Sequence, residues 1–440
     1  MTTRILAVAI LLASAAIAWL AITFAPVARA LQAAITLSLV YVAYLALRGY
    51  WAMRDTPTAR PEPRGGPGGR PWITLVIAAR NEAPVIGSTV AALAGQQYAE
   101  DGVPRFDVVV VDDGSSDGTG AIAGAVGDAH PDRVRVVRRE PGAGPQMKAA
   151  VLNFAHSQIR GEVIGVLDAD ARVPPDFLAR VMQAWDADEH AAAIQAQRRE
   201  RNLDDGWLAA AQDEEQLMDM ASQCGRHATD GTAELRGNGM FVRRSALEAL
   251  GGWNAAALTE DLDLSTRLVA MGERIALAPR AEVGEEAVIT LPALWRQRLR
   301  WAEGSLRRLL EIGPSLLAAP QVPIGRKLDF LAFTGEFLIP PLFVTTVIAS
   351  LLTIPLPRPA DWTVPISLFL VYGLGTFLLA AAGLAAHGER GLGLIGRATR
   401  GSLFLSHWLL VVPAALVRIA VGRRVTTFVQ TPRVGHLPDR

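Results

Sequence analysis

The amino-acid sequence predicts a doubly wound α/β domain inserted between N-terminal and C-terminal transmembrane helices. Three observations predict it. Long apolar stretches lie at both ends of the chain, short β-branched runs alternate with helical stretches in the middle, and a segment rich in proline, glycine and arginine follows the first apolar stretches. Half of the 440 residues are hydrophobic and the mean hydropathy is +0.25, which is high for a soluble protein.

Two apolar runs open the chain, at residues 5–24 and 31–47. Each is close to the ~20 residues that an α-helix needs to cross a bilayer, so we expect an N-terminal transmembrane hairpin over residues 1–53. The competing interpretation of the first run is a secretory signal peptide, with Arg4 as its basic start and Ala-Arg-Ala at 28–30 as a cleavage site. The hairpin is favoured because it explains both runs together.

Residues 54–71 form a predicted linker, since their many prolines and glycines disfavour both helix and sheet. Five arginines follow the second apolar run: Arg48, Arg54, Arg60, Arg64 and Arg70. Positive residues beside membrane segments mark the cytoplasmic side. We therefore expect a multi-pass protein of the cell membrane whose central domain, residues 72–294, is cytoplasmic.

Short β-branched runs in the central domain predict buried parallel strands at residues 73–79, 108–111 and 163–167. Helical stretches lie between them, at residues 83–93, 121–125 and 148–156. This alternation predicts a doubly wound α/β sheet. Such sheets bind ligands at the carboxyl ends of their strands, so a site is expected among the residues that follow each run.

Apolar stretches return over residues 328–421, which we expect to form C-terminal transmembrane helices before a cytoplasmic tail at 422–440. The stretches lie at residues 329–352, 363–386 and 402–421. If all three cross, the tail lies outside, whereas Arg423 and Arg424 indicate the inside. The number of spans therefore stays open at four or five. The last stretch is the candidate for an interfacial helix, because its arginine and proline suit that position.

Charge and cysteine content exclude some classes of function. The 43 Lys and Arg residues balance 43 Asp and Glu residues, so the chain lacks the basic field of a nucleic-acid-binding protein. Cys224 is the only cysteine, which rules out an intrachain disulfide. No Gly-x-Gly-x-x-Gly follows the first predicted strand, which disfavours a dinucleotide-binding oxidoreductase.

Acids follow two of the predicted strands. Asp112 and Asp113 come directly after the second strand, and Asp168 and Asp170 come directly after the third. Each pair alone fits a solvated turn. Two pairs at separate strand ends instead predict a site for a hard divalent ion, because close carboxylates repel one another unless a cation lies between them.

Glu260 and Asp261 follow Thr259 at the start of an amphipathic helical pattern. Two interpretations stay open. Thr259 caps the helix and the acids favour its first turn, or a carboxylate near the helix start acts as general base for an acceptor hydroxyl. Lys148, at another predicted helix start, suits an anion such as a diphosphate.

Residues 295–327 are basic and aromatic, and predict amphipathic helices at the membrane interface. Gln297, Arg300 and Trp301 share one helical face by their spacing. That face offers an amide, a phosphate-binding guanidinium and a stacking ring. An interfacial helix and a ligand-binding helix are both consistent with this pattern.

In this order, the motifs resemble the large inverting family 2 of GT-A glycosyltransferases, which includes cellulose, hyaluronan, chitin and poly-N-acetylglucosamine synthases. The resemblance covers residues 1–312 by motif and the remainder by architecture. It implies a GT-A-type mixed sheet between membrane helices. One departure is Gln146-Met147, where many members have a glycine before the lysine.

The resemblance also implies roles for individual residues. Nucleotide contacts are implied for the loop Ala79, Arg80, Asn81 and Glu82, for Asp112 and Asp113 (with Asp113 favoured), and for Lys148 and Asp168. Asp170 is implied as the direct ligand of Mg²⁺ or Mn²⁺, with Asp168 beside it. Asp261 takes the position of the catalytic base next to Glu260. Acceptor or diphosphate binding is implied for Gln297, Arg300 and Trp301, which fill a Gln-x-x-Arg-Trp motif. Residues 237–253 and 426–433 resemble an acceptor-side segment and a tail motif.

The implied reaction transfers a sugar from a nucleotide-sugar donor, expected to be UDP-linked, to a saccharide or lipid-linked acceptor with inversion at the anomeric carbon. Processive polysaccharide synthesis and single transfer to a lipid or lipid carrier both stay open, since the C-terminal membrane part is short for a polymer channel. The alternative of another class is an inactive membrane scaffold or a transporter, which is disfavoured because few charges lie within the spans. An accessory subunit is neither indicated nor excluded.

Overall fold

The computed structural model describes residues 2–57, 69–140, 142, 147–353 and 363–423. Most of the predicted linker, Gln146 and the tail motif lie outside the described residues. The described chain forms a central α/β domain, which follows two long helices and precedes a series of largely apolar helices.

Nine strands lie in the described part of the chain: β1 (Ile73–Ala79), β2 (Ala99–Glu100), β3 (Val103–Pro104), β4 (Phe106–Asp112), β5 (Val134–Arg138), β6 (Val163–Leu167), β7 (Ala191–Glu200), β8 (Met240–Arg243) and β9 (Arg274–Glu285). Seven form one sheet in the order β5-β4-β1-β6-β8-β7-β9, and β2 pairs with β3 alone. Strands β5, β4, β1 and β6 are parallel, whereas β8 runs antiparallel to β6 and β7. The predicted α/β class with a mixed sheet is therefore confirmed.

Two helices precede the sheet, α1 (Thr2–Thr23) and α2 (Ala25–Asp55). The domain contains α3 (Ala83–Ala94), α4 (Thr119–Ala129), α5 (Lys148–Ala155), α6 (Phe177–Ala187), α7 (Trp207–His227), α8 (Arg244–Ala249) and α9 (Glu260–Ala270). The C-terminal part contains α10 (Leu291–Glu311), α11 (Gly313–Ala318), α12 (Ile324–Gly335), α13 (Ile339–Leu352), α14 (Thr363–Ala386), α15 (Gly391–Leu405) and α16 (Trp408–Ala420).

The sheet lies between two layers of helices. Successive side chains of a strand point to opposite faces, so Val109 of β4 packs with Leu152 and Leu264 of α5 and α9. Its neighbour Val108 packs on the other face, in the cluster that contains Phe177 of α6. This arrangement buries both faces of the parallel strands and leaves their carboxyl ends open at one edge.

Five helical segments of the described chain are long and apolar enough to cross a membrane: Thr2–Thr23, Ala25–Asp55, Ile324–Leu352, Val364–Ala386 and Gly391–Ala420. The last of these segments is longer than the apolar stretch that was predicted at residues 402–421. It begins at Gly391 and breaks into α15 and α16 at Ser406 and His407. The amides of these two residues donate to carbonyls three positions earlier, which tightens and ends α15.

Helix α10 contains one of the predicted domain boundaries. The boundary expected between residues 294 and 295 falls inside this helix, which begins at Leu291. Pro292 lies in its first turn, where the fixed φ of proline suits a helix and its missing N–H is not needed. The boundary expected between residues 327 and 328 likewise falls inside α12.

Helix α7 joins the sheet to the membrane helices, packing against β7 on one side and α2 and α14 on the other. A β-carbon at Gly49 would overlap the carbonyl of Ala221, and one at Gly225 would overlap the carbonyl of Leu45. The backbones of α2 and α7 are therefore in contact, which only glycine permits at these two positions. Gly383 of α14 approaches α7 in the same way.

Candidate active site

The residues that the sequence predicts as a site converge on one cavity of about 930 Å³. All but one of them line it: Ala79, Arg80, Asn81, Glu82, Asp113, Lys148, Asp168, Asp170, Glu260, Asp261, Gln297, Arg300 and Trp301. The exception is Asp112, which is buried and does not line the cavity. The acids that follow β4 and β6 thus share a pocket with those that begin α9.

The loop after β1 interlocks with the loop after β4. Asn81 has a φ of 55°, a left-handed conformation that asparagine tolerates better than most residues. Its amide donates to Ser115 Oγ at 3.0 Å, and its Oδ1 accepts from the Ser116 amide at 2.9 Å. The Glu82 amide donates to Thr119 Oγ1 at 2.8 Å. These bonds fix two loops of the cavity wall in one geometry.

The two acids at the end of β4 have different environments. Asp113 faces the cavity and accepts from Arg139 at 2.6 Å, with Arg80 at 3.9 Å. Asp112 instead accepts a hydrogen bond from the Ser115 amide at 2.9 Å and stabilises the turn. Of the pair predicted to contact a nucleotide, the structure therefore brings Asp113 to the cavity and keeps Asp112 in the loop.

Lys148 bridges two carboxylates of the site. Its Nζ lies 2.5 Å from Asp168 Oδ1 and 3.5 Å from Glu260 Oε1. Although burial disfavours its charge, Asp168 and Glu260 raise the pKa of Lys148 above its ordinary value. The lysine is therefore a fixed positive charge at the carboxyl end of β6.

The acids after β6 suit a divalent cation. Asp168 and Asp170 both line the cavity, and the Glu286 amide donates to Asp170 Oδ2 at 3.3 Å. Within the described residues, no group of three His, Cys, Asp or Glu side chains is placed to hold a metal alone. Two hard oxygen donors at i and i+2 fit an ion that takes its other ligands from phosphate and water.

Helix α9 begins with Glu260 and Asp261, both of which line the cavity. Thr259 makes no side-chain capping hydrogen bond in this structure, so the purely structural interpretation of the motif loses its main support. Burial raises the pKa of both the Glu260 and the Asp261 carboxyl groups. A raised pKa brings such a carboxylate closer to the proton affinity that a general base needs.

Helix α10 places its predicted face on the cavity. Trp301 lies against Arg298, whose guanidinium carbon is 4.1 Å from the ring centroid, and Arg198 lies 5.5 Å away. Burial lowers the pKa of Arg300, which also feels the charges of Glu260 and Asp261. Gln297 lines the cavity, and its buried Oε1 has no hydrogen-bond partner among the described residues.

Sequence reasoning missed a charged layer behind the acids. Arg198 of β7 pairs with Glu285 of β9. Asn238 donates to Glu285 Oε2 at 3.0 Å, and its own Oδ1 accepts from the Asp168 amide at 3.1 Å. The sequence signal that could have indicated this layer is the presence of charged residues at the ends of otherwise buried strands. This layer fixes the backbone that carries Asp168.

A second set of charges lines the cavity farther from the β6 acids. Glu234 pairs with Arg308 of α10 and with Arg236, which also bonds Asp219 at 2.9 Å. Although burial opposes ionisation, Arg308 and Arg236 lower the pKa of Glu234 to about 2. These ion pairs form a chain of linked charges along the cavity wall, from Arg308 through Glu234 and Arg236 to Asp219.

The cavity also extends between the apolar helices that are candidate membrane spans. Its wall there is mostly apolar and comes from α2, α13, α14 and the α12–α13 junction: Leu31, Ile35, Leu39, Val42, Phe337, Leu338, Ile339, Leu342, Leu368, Val371 and Leu379. Tyr41, Tyr372 and Glu336 add polar atoms. One continuous space therefore runs from the carboxylates at the sheet edge into the apolar helices.

Comparison with known proteins places this geometry in a family. The family model described as "Glycosyltransferase like family 2" matches residues 70–304. The β-monoglucosyldiacylglycerol synthase of Synechocystis sp. is 34% identical over 394 residues, which is 88% of this chain and 81% of that protein. The poly-β-1,6-N-acetyl-D-glucosamine synthase of Staphylococcus aureus is 27% identical over 257 residues, which is 57% of this chain and 59% of that protein.

A solved structure has the same fold. A mannosyltransferase of Pyrobaculum calidifontis, crystallised with GDP-Man and Mn²⁺, aligns with a TM-score of 0.57 and 22% sequence identity over 89% of this chain and 98% of that one. At this identity the likeness concerns the fold. It confirms the predicted GT-A architecture, in which the mixed sheet carries the loops that line the cavity.

Proposed function

This chain belongs to glycosyltransferase family 2, and we propose that it transfers one glucose from UDP-glucose to the free hydroxyl of a diacylglycerol, with inversion at the anomeric carbon. The observation that carries the proposal is the continuity of the cavity, which joins the carboxylates to an apolar space between membrane helices. A lipid hydroxyl is the acceptor that such a space suits. The 34% identity to a synthase named for a glucosylated diacylglycerol supports the same choice.

The donor lies against the loops that follow β1 and β4. Asp113 accepts hydrogen bonds from the uridine, and Arg300 and Lys148 face the diphosphate. Asp170 and Asp168 would hold Mg²⁺ or Mn²⁺, which when bound neutralises charge on the departing diphosphate. Trp301 supplies a flat ring that is already held by two arginines, so little order is lost when a sugar packs on it.

Asp261 is the base. It takes the proton of the acceptor hydroxyl while the hydroxyl oxygen attacks the anomeric carbon from the face opposite the nucleotide. The bond from that carbon to the phosphate oxygen breaks, and the nucleoside diphosphate leaves with the electron pair. Arg300 and Lys148 stabilise that charge from fixed positions, which is the largest effect expected of such a site.

The acceptor approaches from the membrane. Its acyl chains occupy the space between α2, α13 and α14, and its hydroxyl passes the charged side chains of Glu234, Arg308 and Arg236, which line the cavity. The catalytic domain faces the cytoplasm of a cell membrane, because Arg48 and Arg54 lie near the end of α2 that meets the domain. Processive saccharide synthesis is the competing function, and product size distinguishes the two.

The experiment is a donor and acceptor screen with purified protein in lipid nanodiscs. UDP-glucose, UDP-galactose, UDP-N-acetylglucosamine and GDP-mannose are each given with and without diacylglycerol and Mn²⁺, and products are measured by mass spectrometry. We expect one hexose on diacylglycerol from UDP-glucose, and at least about a hundredfold less of it from the Asp261→Asn variant in the same time. A ladder of saccharides, or turnover that ignores diacylglycerol, would contradict the proposal.

A further inference from the structure

We propose that residues 391–420 do not cross the membrane, although they are long and apolar enough to do so. Helices α15 and α16 lie as a pair against the catalytic side, so the chain crosses four times and its described C-terminal end, at residue 423, is on the same side as the catalytic domain. The proposal is independent of which sugar or acceptor the enzyme uses.

The lengths of the two helices support this arrangement. An unbroken helix over Gly391–Ala420 would be about 45 Å long, more than the ~30 Å of the hydrocarbon core. The break at Ser406 and His407 leaves α15 with 15 residues and α16 with 13. At 1.5 Å per residue each is roughly 20 Å long, too short to span alone.

Contacts of other helices identify the catalytic side. At the start of α1, Thr3 Oγ1 donates to Glu311 Oε1 of α10 at 3.1 Å. Arg280 of β9 donates to the carbonyls of Met53 at 3.0 Å and Ala386 at 3.2 Å. The start of α1 and the ends of α2 and α14 therefore all lie beside the domain. The opposite side is marked by a cluster of Ala18, Ile22 and Ala349.

Helix α15 is docked on the domain. It begins five residues after Ala386, the end of α14. Arg400 Nε lies 2.9 Å from Glu214 Oε2, and Arg397 Nε lies 3.1 Å from Glu214 Oε1. Glu214 belongs to α7, which packs against the sheet. If the segment from Gly391 spanned the membrane, two guanidinium groups within it would be costly, whereas here both are paired with Glu214 of the catalytic domain.

Helix α16 also begins and ends beside the domain. At its start, Trp408 Nε1 donates to Glu215 Oε1 of α7 at 3.0 Å. At its end, the Ala420 carbonyl accepts from Arg4 Nε at 3.2 Å, and the Arg423 carbonyl accepts from Arg307 at 3.1 Å. Arg4 starts α1 and Arg307 lies in α10, so the end of α16 returns to the catalytic side.

The outer surface of this pair is apolar. Five large side chains are exposed along it: Leu392, Ile395, Leu403, Leu410 and Val417. Leu392 is 87% exposed. Apolar residues outside and arginines against the protein are the pattern of a helix that lies in the headgroup region. The arrangement also places Arg423 on the side of Arg48 and Arg54, as the positive-inside rule requires.

Cysteine labelling tests the proposal, because Cys224 is the only cysteine and is buried. In a Cys224→Ser background, single cysteines are placed at Val421 after α16, at Ile122 in the catalytic domain and at Phe24 between α1 and α2. All three side chains are exposed. A membrane-impermeant maleimide is applied to intact cells and to inside-out vesicles. We expect Val421→Cys to react on the same side as Ile122→Cys.

Reaction of Val421→Cys on the side of Phe24→Cys would overturn the proposal. A variant that reacts from neither side is replaced by a protease-cleavable tag fused after Arg440, which we expect to be cut only in inside-out vesicles, and cutting in intact cells alone would overturn it. Donor turnover by each variant confirms that the protein is folded.

Discussion

The cavity has two parts that differ in construction. The donor half lies at the strand ends and includes Asp113, Lys148 and Asp168, and the membrane half lies between α2, α13 and α14. The donor half combines fixed charges on loops at strand ends, such as Lys148 with Asp168 at 2.5 Å and Asp113 with Arg139 at 2.6 Å. The membrane half is a gap between helices lined mostly by aliphatic side chains. We expect binding in the donor half to depend on charge, and binding in the membrane half to depend on the space available. The chemistry therefore depends on a few residues, whereas the choice of acceptor depends on many weak contacts.

The largest expected effect is at the base. Asp261→Asn removes the proposed proton acceptor and leaves the loops proposed to bind the donor unchanged, so we expect kcat to fall by about 10²- to 10⁴-fold with nearly unchanged donor affinity. Steady-state kinetics and a donor titration measure the two quantities. The control is Asp128→Asn, an exposed acid of α4. Wild-type turnover by the Asp261 variant would remove this residue from the mechanism.

The next effect concerns the metal. Asp170→Asn removes one hard oxygen donor, so we expect the Mn²⁺-dependent part of donor binding to be lost and kcat to fall on the order of 10²-fold. Calorimetric donor titrations with Mn²⁺ and with a chelator measure this. Asp204→Asn, an exposed acid, is the matched control. A variant whose donor binding still responds to Mn²⁺ would place the metal elsewhere.

A substitution in the membrane half should alter the kinetics for the acceptor and leave donor binding unchanged. Gly375 lines the cavity on α14, so Gly375→Phe is expected to fill acceptor space and to lower kcat/KM for the lipid roughly tenfold, the equivalent of about 1.4 kcal/mol. Donor affinity should not change. Gly373→Phe lies on the same helix, does not line the cavity and points into open space, so it controls for a phenylalanine on α14, and the folded fraction of Gly375→Phe is measured separately because Gly375 also approaches Val42 of α2. Equal losses in both variants would mean that helix packing, not acceptor volume, is responsible.

The smallest effect is a shift in pH dependence. The charge of Lys148 lowers the pKa of Glu260 and Asp261 against the raising effect of burial. Removing it in Lys148→Met should raise both pKa values, so the acid limb of kcat/KM moves to higher pH, in addition to the fall in kcat that follows from removing a proposed diphosphate contact. The base is active when deprotonated, and activity is lost as pH falls through the raised pKa. The control is Lys327→Met, which does not line the cavity and should leave the acid limb of kcat/KM at its wild-type pH.

The sequence was sufficient where local signals agree. Strands β1 and β6 occupy the predicted residues because each is a β-branched run closed by a turn. The site was predictable for a related reason, since parallel strands bring the residues after β4 and β6 to one edge. Asp112 shows the limit of that reasoning, because neighbouring acids of one motif face different surroundings.

Long-range pairing was not predictable from local patterns. Strand β7 begins with three alanines and ends in arginines and a glutamate, and it is stabilised by its partners β8 and β9 rather than by its own propensity. Helix α7 buries Asp213, Glu214 and Glu215, which look like surface residues until distant arginines pair with them. No short sequence motif marks the membrane half, because the space between distant helices does not depend on residues that are close together in the sequence.

The glycine contacts of α7 set a limit on the product. Because the backbones of α2 and α7 touch at Gly49 and Gly225, the domain cannot rise from or tilt over the bilayer without separating them. Asp261 is then held at a fixed distance from the bilayer. If the proposed lipid acceptor already carried a sugar, its next hydroxyl would lie one ring farther from the bilayer than the hydroxyl that Asp261 is proposed to deprotonate. We therefore expect two glycines, remote from the chemistry, to decide how many sugars each lipid receives.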